Sequence, residues 1–194
     1  MNSKDGFVKR TSVKIVVAGG FGTGKTTLVR SISEIDPLTT EEVLTEASIG
    51  VDDLAGLEDK TSTTVALDFG RITINHEVVL YLFGTPGQDR FWFMWDELAQ
   101  GAVGAIVLID TRRLDSSFAA IDYFERRKIP FLVAVNMFHG ERVYTEEEIR
   151  GALHLSAEAP LLWTDARNRE SVRETLVRLV RHALSRLPDT EPVG

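Results

Sequence analysis

Residues Gly19-Gly20-Phe21-Gly22-Thr23-Gly24-Lys25-Thr26 fit the pattern G-x-x-x-x-G-K-[ST], directly after an apolar β-branched run and directly before a helix-like segment. That context commits the first part of the chain to strand, tight loop and helix. The glycines let successive backbone N–H groups point inward, making an anion nest completed by the positive end of the following helix. Lys25 then bridges outer phosphates, and the Thr26 hydroxyl suits Mg²⁺, a cation that prefers oxygen ligands. Gly19, Gly22, Thr23, Gly24, Lys25, Thr26 and Thr27 are the candidate phosphate-binding residues.

Strand-like runs at 13–18, 65–69, 78–83, 102–109, 131–135 and 161–164 alternate with helical patterns at 25–33, 90–98, 116–127, 146–153 and 170–187. Such alternation predicts an α/β fold, a mostly parallel six-stranded sheet flanked by helices. One edge strand is expected to be antiparallel, because residues 71–77 are too short for a crossover and hold the turn-prone Asn75. Residues 36–61, rich in Thr, Glu and Asp, read as a long mobile loop. A single domain is expected over residues 12–187, with a tail at 1–11 and a disordered tail at 188–194.

The net charge of −7 argues against nucleic-acid binding through a general positive field. Absence of cysteine excludes disulfides, thiolate metal sites and thiol-linked lipid anchors. Residues 1–5 resemble neither a signal peptide nor a myristoylation site, and no window reaches the length of a membrane span. The expectation is a cytoplasmic protein with no direct membrane anchor, brought to a membrane only by partners.

With the phosphate loop after the first strand, the order of elements over residues 12–187 resembles the Ras-like small GTPases among the P-loop NTPases. GGFGTGKTTLV at the loop, TSTTVALDFGRI from Thr61, LFGTPGQDRF from Leu82, VAVNMF from Val133 and TDARNRESV from Thr164 carry the likeness. Within that superfamily the chain is most similar to the bacterial branch of the gliding-motility GTPase MglA and the actinobacterial conservon-encoded GTPases. The resemblance implies that Thr64 is the first-switch threonine, reaching Mg²⁺ by its hydroxyl and a γ-phosphate by its N–H. It implies that Gly87 offers an N–H to the γ-phosphate and that Gln88 orients the attacking water. Gly84 stands where an aspartate usually holds Mg²⁺ through water. Asp68, leaving the second strand near the phosphates, is nominated instead; a satisfied surface carboxylate is the alternative.

The base site departs from the family too. Asn136-Met137-Phe138-His139 replaces Asn-Lys-x-Asp, so the carboxylate that accepts two hydrogen bonds from guanine is absent. Met137 can cover a purine with a polarizable chain. In Asp165-Ala166-Arg167 the Ala166 N–H is expected at a purine O6. Asn136, Met137, His139, Asp165, Ala166 and Arg167 are therefore the base candidates. GTP or GDP with Mg²⁺ is the implied ligand, with ATP open.

Phe91-Trp92-Phe93-Met94-Trp95 is a dense aromatic cluster beside the second switch, read as a partner surface or as a strongly buried helix. The four histidines have no metal-ligand spacing. The leading function is a regulatory switch that binds GTP or GDP and hydrolyses GTP slowly, with a Roadblock/LC7-domain regulator and a sensor-kinase-like protein as the partners the resemblance implies. The alternatives are a degenerate pseudo-GTPase scaffold and a small phosphotransferase using Arg112-Arg113 or Arg126-Arg127 as lid arginines.

Overall fold

The computed structural model describes residues 10–36, 38–44, 63–87, 89–138, 140 and 142–187. Its centre is a seven-stranded sheet in the order β2-β3-β4-β1-β5-β6-β7. The strands are β1 (Thr11–Ala18), β2 (Leu38–Leu44), β3 (Thr63–Thr73), β4 (Val78–Gly84), β5 (Ala102–Ile109), β6 (Phe131–Asn136) and β7 (Leu161–Thr164). The helices are α1 (Lys25–Ile32), α2 (Trp95–Ala99), α3 (Phe118–Arg127), α4 (Glu146–Leu153) and α5 (Arg169–Ser185), with 3₁₀ turns before α2 and α3.

Successive residues of the central strands serve opposite faces. Ile15 and Val17 of β1, with Ile106 and Leu108 of β5, join the core under α1 and α5, where Leu28, Val29, Val172 and Leu179 are buried. Val16 and Ala18, with Val107 and Ile109, join the core under α2, α3 and α4, where Trp95, Phe124 and Ile149 are buried. Burial on both faces is why these strands read as unbroken apolar runs and pair in parallel. Charged first turns and caps start the outer helices: Thr145 and Glu148 form a reciprocal capping box on α4, and Asn168 accepts from the N–H groups of Glu170 and Ser171 on α5.

The expected antiparallel pairing is formed by β3 and β4, and the Asn75 side chain accepts from the N–H groups of Glu77 and Val78 at 2.8 Å to close the turn. All six expected strands are present. A seventh lies inside the segment expected to be a loop: β2 runs antiparallel to β3, so β3 is the one reversed strand but not the edge. A polar sequence such as Leu-Thr-Thr-Glu-Glu-Val-Leu has no core-facing stripe to announce a strand; pairing with β3 supplies the order. The remainder of that loop, most of the N-terminal tail and residues 188–194 lie outside the described residues. Among the described residues no helix is long and apolar enough to cross a membrane.

The helix expected over 90–98 is a 3₁₀ turn over Asp89–Met94 followed by the short α2. Phe91 and Trp95 are buried, whereas Trp92 and Phe93 are 44% and 65% exposed, so the aromatic cluster is divided between core and surface.

Candidate functional site

The phosphate loop joins the carboxyl end of β1 to α1 at the centre of the sheet, where helix N-terminus and strand ends converge. Gly24 immediately precedes α1 with φ 104°, and a Cβ there would lie 2.6 Å from Nδ2 of Asn136, so both backbone and space demand glycine. Lys25 is buried, and its ammonium donates to the carbonyls of Gly19 (2.9 Å) and Gly20 (2.7 Å). Burial lowers the Lys25 pKa to about 8, against the opposing pull of the Asp68 carboxylate. Thr23 is buried and its hydroxyl donates to Gly20 O at 3.0 Å, which ties the loop to itself.

Asp68 of β3 is buried and accepts from the Thr26 hydroxyl at 2.6 Å. It pairs directly across the sheet with Gly84 at the end of β4, where an added Cβ would sit 3.0 Å from the Asp68 Cβ and 3.1 Å from Oδ2. The missing aspartate at Gly84 and the carboxylate at Asp68 are therefore two sides of one arrangement: the empty position on β4 makes room for a carboxylate entering from β3. Beside them the buried Thr85 hydroxyl has no hydrogen-bond partner among the described residues. Thr26, Asp68 and Thr85 are hard oxygen donors, and one carboxylate with a hydroxyl is the kind of set that Mg²⁺ supplements with phosphate oxygens and water. Among the described residues no group of three or more His, Asp or Glu gathers to hold an ion unaided.

Thr64 is placed elsewhere. It lies four residues before Asp68 in β3, paired with Val43 of β2, about 13 Å along the strand at roughly 3.3 Å per residue. The β3 residue that meets Thr26 is Asp68. Gly87 sits on the phosphate loop itself, since a Cβ there would be 2.7 Å from Lys25 Nζ and 2.8 Å from Phe21 N. Gln88 and His139 lie outside the described residues.

On the other flank, Asn136 fastens three elements. Its Nδ2 donates to Thr23 O at 2.9 Å, and its Oδ1 accepts from the Ala166 N–H at 3.1 Å. The N–H expected at a purine O6 is therefore spent inside the protein. Asp165 receives the Arg167 guanidinium at 2.9 Å on each oxygen, and these bonds hold its carboxyl below the usual range. A cleft of about 110 Å³ opens here, lined by Gly24, Thr27, Asn136, Phe138, Ala166 and Arg167. Met137 lines the neighbouring cleft of about 160 Å³, and Phe138 lines both.

A family model described as a conserved hypothetical ATP-binding protein matches residues 17–186. The chain belongs to this family. An uncharacterized protein of Methanocaldococcus jannaschii is 31% identical over 131 residues, which span 66% of this chain and 72% of that protein. Membership in an ATP-binding family, with the phosphate loop seated after β1 of a mostly parallel sheet, makes this a nucleotide-binding protein with the α/β fold of P-loop NTPases.

In this ATP-binding family member, the arginine pair read from sequence only as a candidate lid of the phosphotransferase alternative also reaches the site. Arg113 donates from Nη2 to Phe21 O at 2.6 Å, setting a guanidinium on the outer rim of the phosphate loop. Arg112 makes a bidentate pair with the buried Asp110, 2.8 and 2.7 Å, and its guanidinium lies 4.2 Å from the Phe138 ring centroid. The adjacent arginines are visible in the sequence, but their destinations depend on how the loop after β5 turns. A cleft of about 620 Å³ between Phe124, Lys128, Phe131 and Arg186 lies at the opposite end of the strands from the phosphate loop.

Proposed function

We propose that this protein is a regulatory switch that binds a nucleoside triphosphate with Mg²⁺ and hydrolyses it slowly, with ATP and GTP both accepted. The observation that carries the reading is the seat of Gly87 against Lys25 Nζ and the Phe21 backbone. Lys25 is the cation that outer phosphates must meet, so their arrival and the resting place of the 85–87 segment are coupled. In sequence that segment lies just ahead of the 3₁₀ turn and its exposed Trp92 and Phe93, which gives nucleotide state a route to a partner surface.

Thr26 and Asp68 are the residues that would hold Mg²⁺, and the bound ion supplies positive charge to the phosphates. Lys25 neutralises and positions the phosphates, Asn136 keeps the loop shaped around them, and the Arg113 guanidinium stands at the rim to add charge. Gln88 is assigned the water-orienting role from the Ras-like resemblance, which also supports slow hydrolysis and a Roadblock/LC7-domain partner. The family description supports ATP, and engagement of Ala166 N–H by Asn136, with histidine at position 139, removes the contacts that would favour guanine.

A phosphotransferase is less well supported, because of its four lid candidates Arg113 alone reaches the phosphate loop, while Arg112 pairs with Asp110, Arg126 with Asp122 and Arg127 with Asp96. The deciding experiment measures affinity and single-turnover hydrolysis for ATP and GTP side by side, with and without Mg²⁺. Micromolar Mg²⁺-dependent binding with slow turnover is expected. Tight binding without any turnover would replace the switch by a constitutive scaffold, and absence of binding to both nucleotides would remove the reading altogether.

A further inference from the structure

We propose that the base of the bound nucleotide is held by stacking on Phe138, a ring braced from behind by Arg112, and that this platform sets a preference for purines without choosing between adenine and guanine. The inference rests on the nucleotide-binding reading above and adds to it the residue that determines base affinity.

Phe138 lines both clefts on this flank of the site. Arg112 lines only the one remote from the phosphate loop, with its guanidinium 4.2 Å from the ring centroid. Phe138 is thus common to the cleft that holds Arg112 and to the cleft shared with Gly24 and Thr27. Those two residues bracket the start of α1, immediately beside the phosphate-holding backbone, which is where a base tethered to bound phosphates must come.

The brace is rigid. Asp110 is buried to 1% side-chain exposure, takes both prongs of the Arg112 fork and also accepts the Arg112 backbone N–H at 3.0 Å. A planar guanidinium fixed in this way keeps one orientation over the ring, and the contact between cation and aromatic face adds to the fixation. Phe138 is thereby held in place before any base arrives.

Three of the polar groups on this flank have their partners within the protein. Asn136 spends its amide on Thr23 and Ala166, Ala166 N–H is spent on Asn136, and the Asp165 carboxylate is closed by Arg167. Discrimination between bases requires hydrogen bonds to their edges. An aromatic face instead offers attraction to any base, stronger for the larger purines.

The test measures binding of ATP, GTP, CTP and inorganic tripolyphosphate, each with Mg²⁺, to wild type, Phe138→Ala, Phe138→Leu, Phe138→Tyr and Arg112→Ala. Wild type is expected to bind ATP and GTP within about ten-fold of one another and CTP more weakly. Phe138→Ala and Phe138→Leu should weaken both purine nucleotides together, on the order of ten-fold or more, and leave tripolyphosphate unchanged. Phe138→Tyr should keep wild-type affinity, and Arg112→Ala should fall between. Unchanged ATP and GTP affinity in Phe138→Ala would overturn the inference while leaving nucleotide binding intact. Full retention by Phe138→Leu would overturn it too, since apolar cover and not stacking would then suffice. Equal loss of tripolyphosphate would show that Phe138 acts through the shape of the phosphate loop. Failure of wild type to bind either nucleotide would overturn the nucleotide reading itself, and the inference with it.

Discussion

At the scale of single residues, Lys25 links the site to pH. Its pKa is lowered to about 8 from 10.5 by burial, so below pH 8 the folded protein carries a desolvated ammonium, and that burden on stability lifts as pH rises from 8 toward 10.5. Binding responds in the opposite sense. Phosphate favours the charged lysine, so above pH 8 the protein must take up a proton to bind, and nucleotide affinity is expected to fall by up to about ten-fold per pH unit there while staying flat below pH 7.5. Calorimetry in buffers of different ionisation enthalpy at pH 8.5 to 9 would detect the uptake; a pH-independent affinity would show that Lys25 is already fully charged in the free protein. Asp68 and Gly84 give a second test. Gly84→Asp places a second carboxylate and a Cβ about 3 Å from Asp68, and a loss of stability of about 2–4 kcal/mol with impaired Mg²⁺ dependence is expected. Adding Asp68→Gly to that variant should recover most of both losses, because it restores one carboxylate and one vacancy at the same place. Failure of the double variant to recover either would mean that the two positions are not interchangeable. The phosphate loop was legible from sequence because its function depends on backbone and spacing. The base side was less so: Phe138 occupies the unspecified position of the motif, and nothing local to it reveals that Arg112, far away in sequence, would lie over its ring.

At the scale of elements, the short 3₁₀-α2 segment divides one aromatic run between two roles. Trp95 is buried, stacks on Phe124 at 6.1 Å and meets Tyr123 edge-on at 5.3 Å. The neighbouring Asp96 accepts from the Tyr123 hydroxyl at 2.8 Å and from Arg127 at 2.6 Å, which moors α2 to α3. Trp95→Ala should therefore destabilise the protein by about 3–5 kcal/mol, whereas Trp92→Ala should cost less than about 1 kcal/mol. Chemical denaturation of both variants checks this, and similar midpoints would contradict the division. The sequence announced an aromatic cluster but left its faces open, since a 3₁₀ stretch carries its side chains at a different angle from the α-helix that the pattern suggested. Strand β2 escaped for the complementary reason. Its order comes from the ladder with β3, a contact whose energy is not encoded in the strand's own pattern.

At the scale of the whole molecule, the sheet brings together the phosphate loop, the 85–87 segment and the Asn136 clamp from the ends of β1, β4 and β6, and Asp68 from the middle of β3. The alternation of apolar runs made this architecture readable, because strands buried on both faces leave few alternatives to a helix-covered parallel sheet. What the pattern did not disclose is how tightly the 85–87 segment rests on the loop, since Gly87 meets Lys25 through space and not through sequence. That contact predicts a global response. Phosphates arriving at Lys25 compete for the ammonium that now faces Gly87 and donates to Gly19 and Gly20, and displacement of Gly87 shifts the start of the 3₁₀ turn. Trp92, 44% exposed on that turn, should report the shift as a change in intrinsic fluorescence on adding a non-hydrolysable triphosphate analogue with Mg²⁺. Trp92→Phe should remove most of the signal while keeping nucleotide affinity, because Trp95 is fixed in the core and Trp163 packs under Arg142 at 4.6 Å. The diphosphate should produce a smaller change, as it lacks one of the two outer phosphates that Lys25 bridges. If both nucleotides gave identical spectra, or if Trp92→Phe kept the full signal, the 85–87 segment would not be transmitting nucleotide state to the aromatic surface, and a partner could not distinguish the two forms by this route.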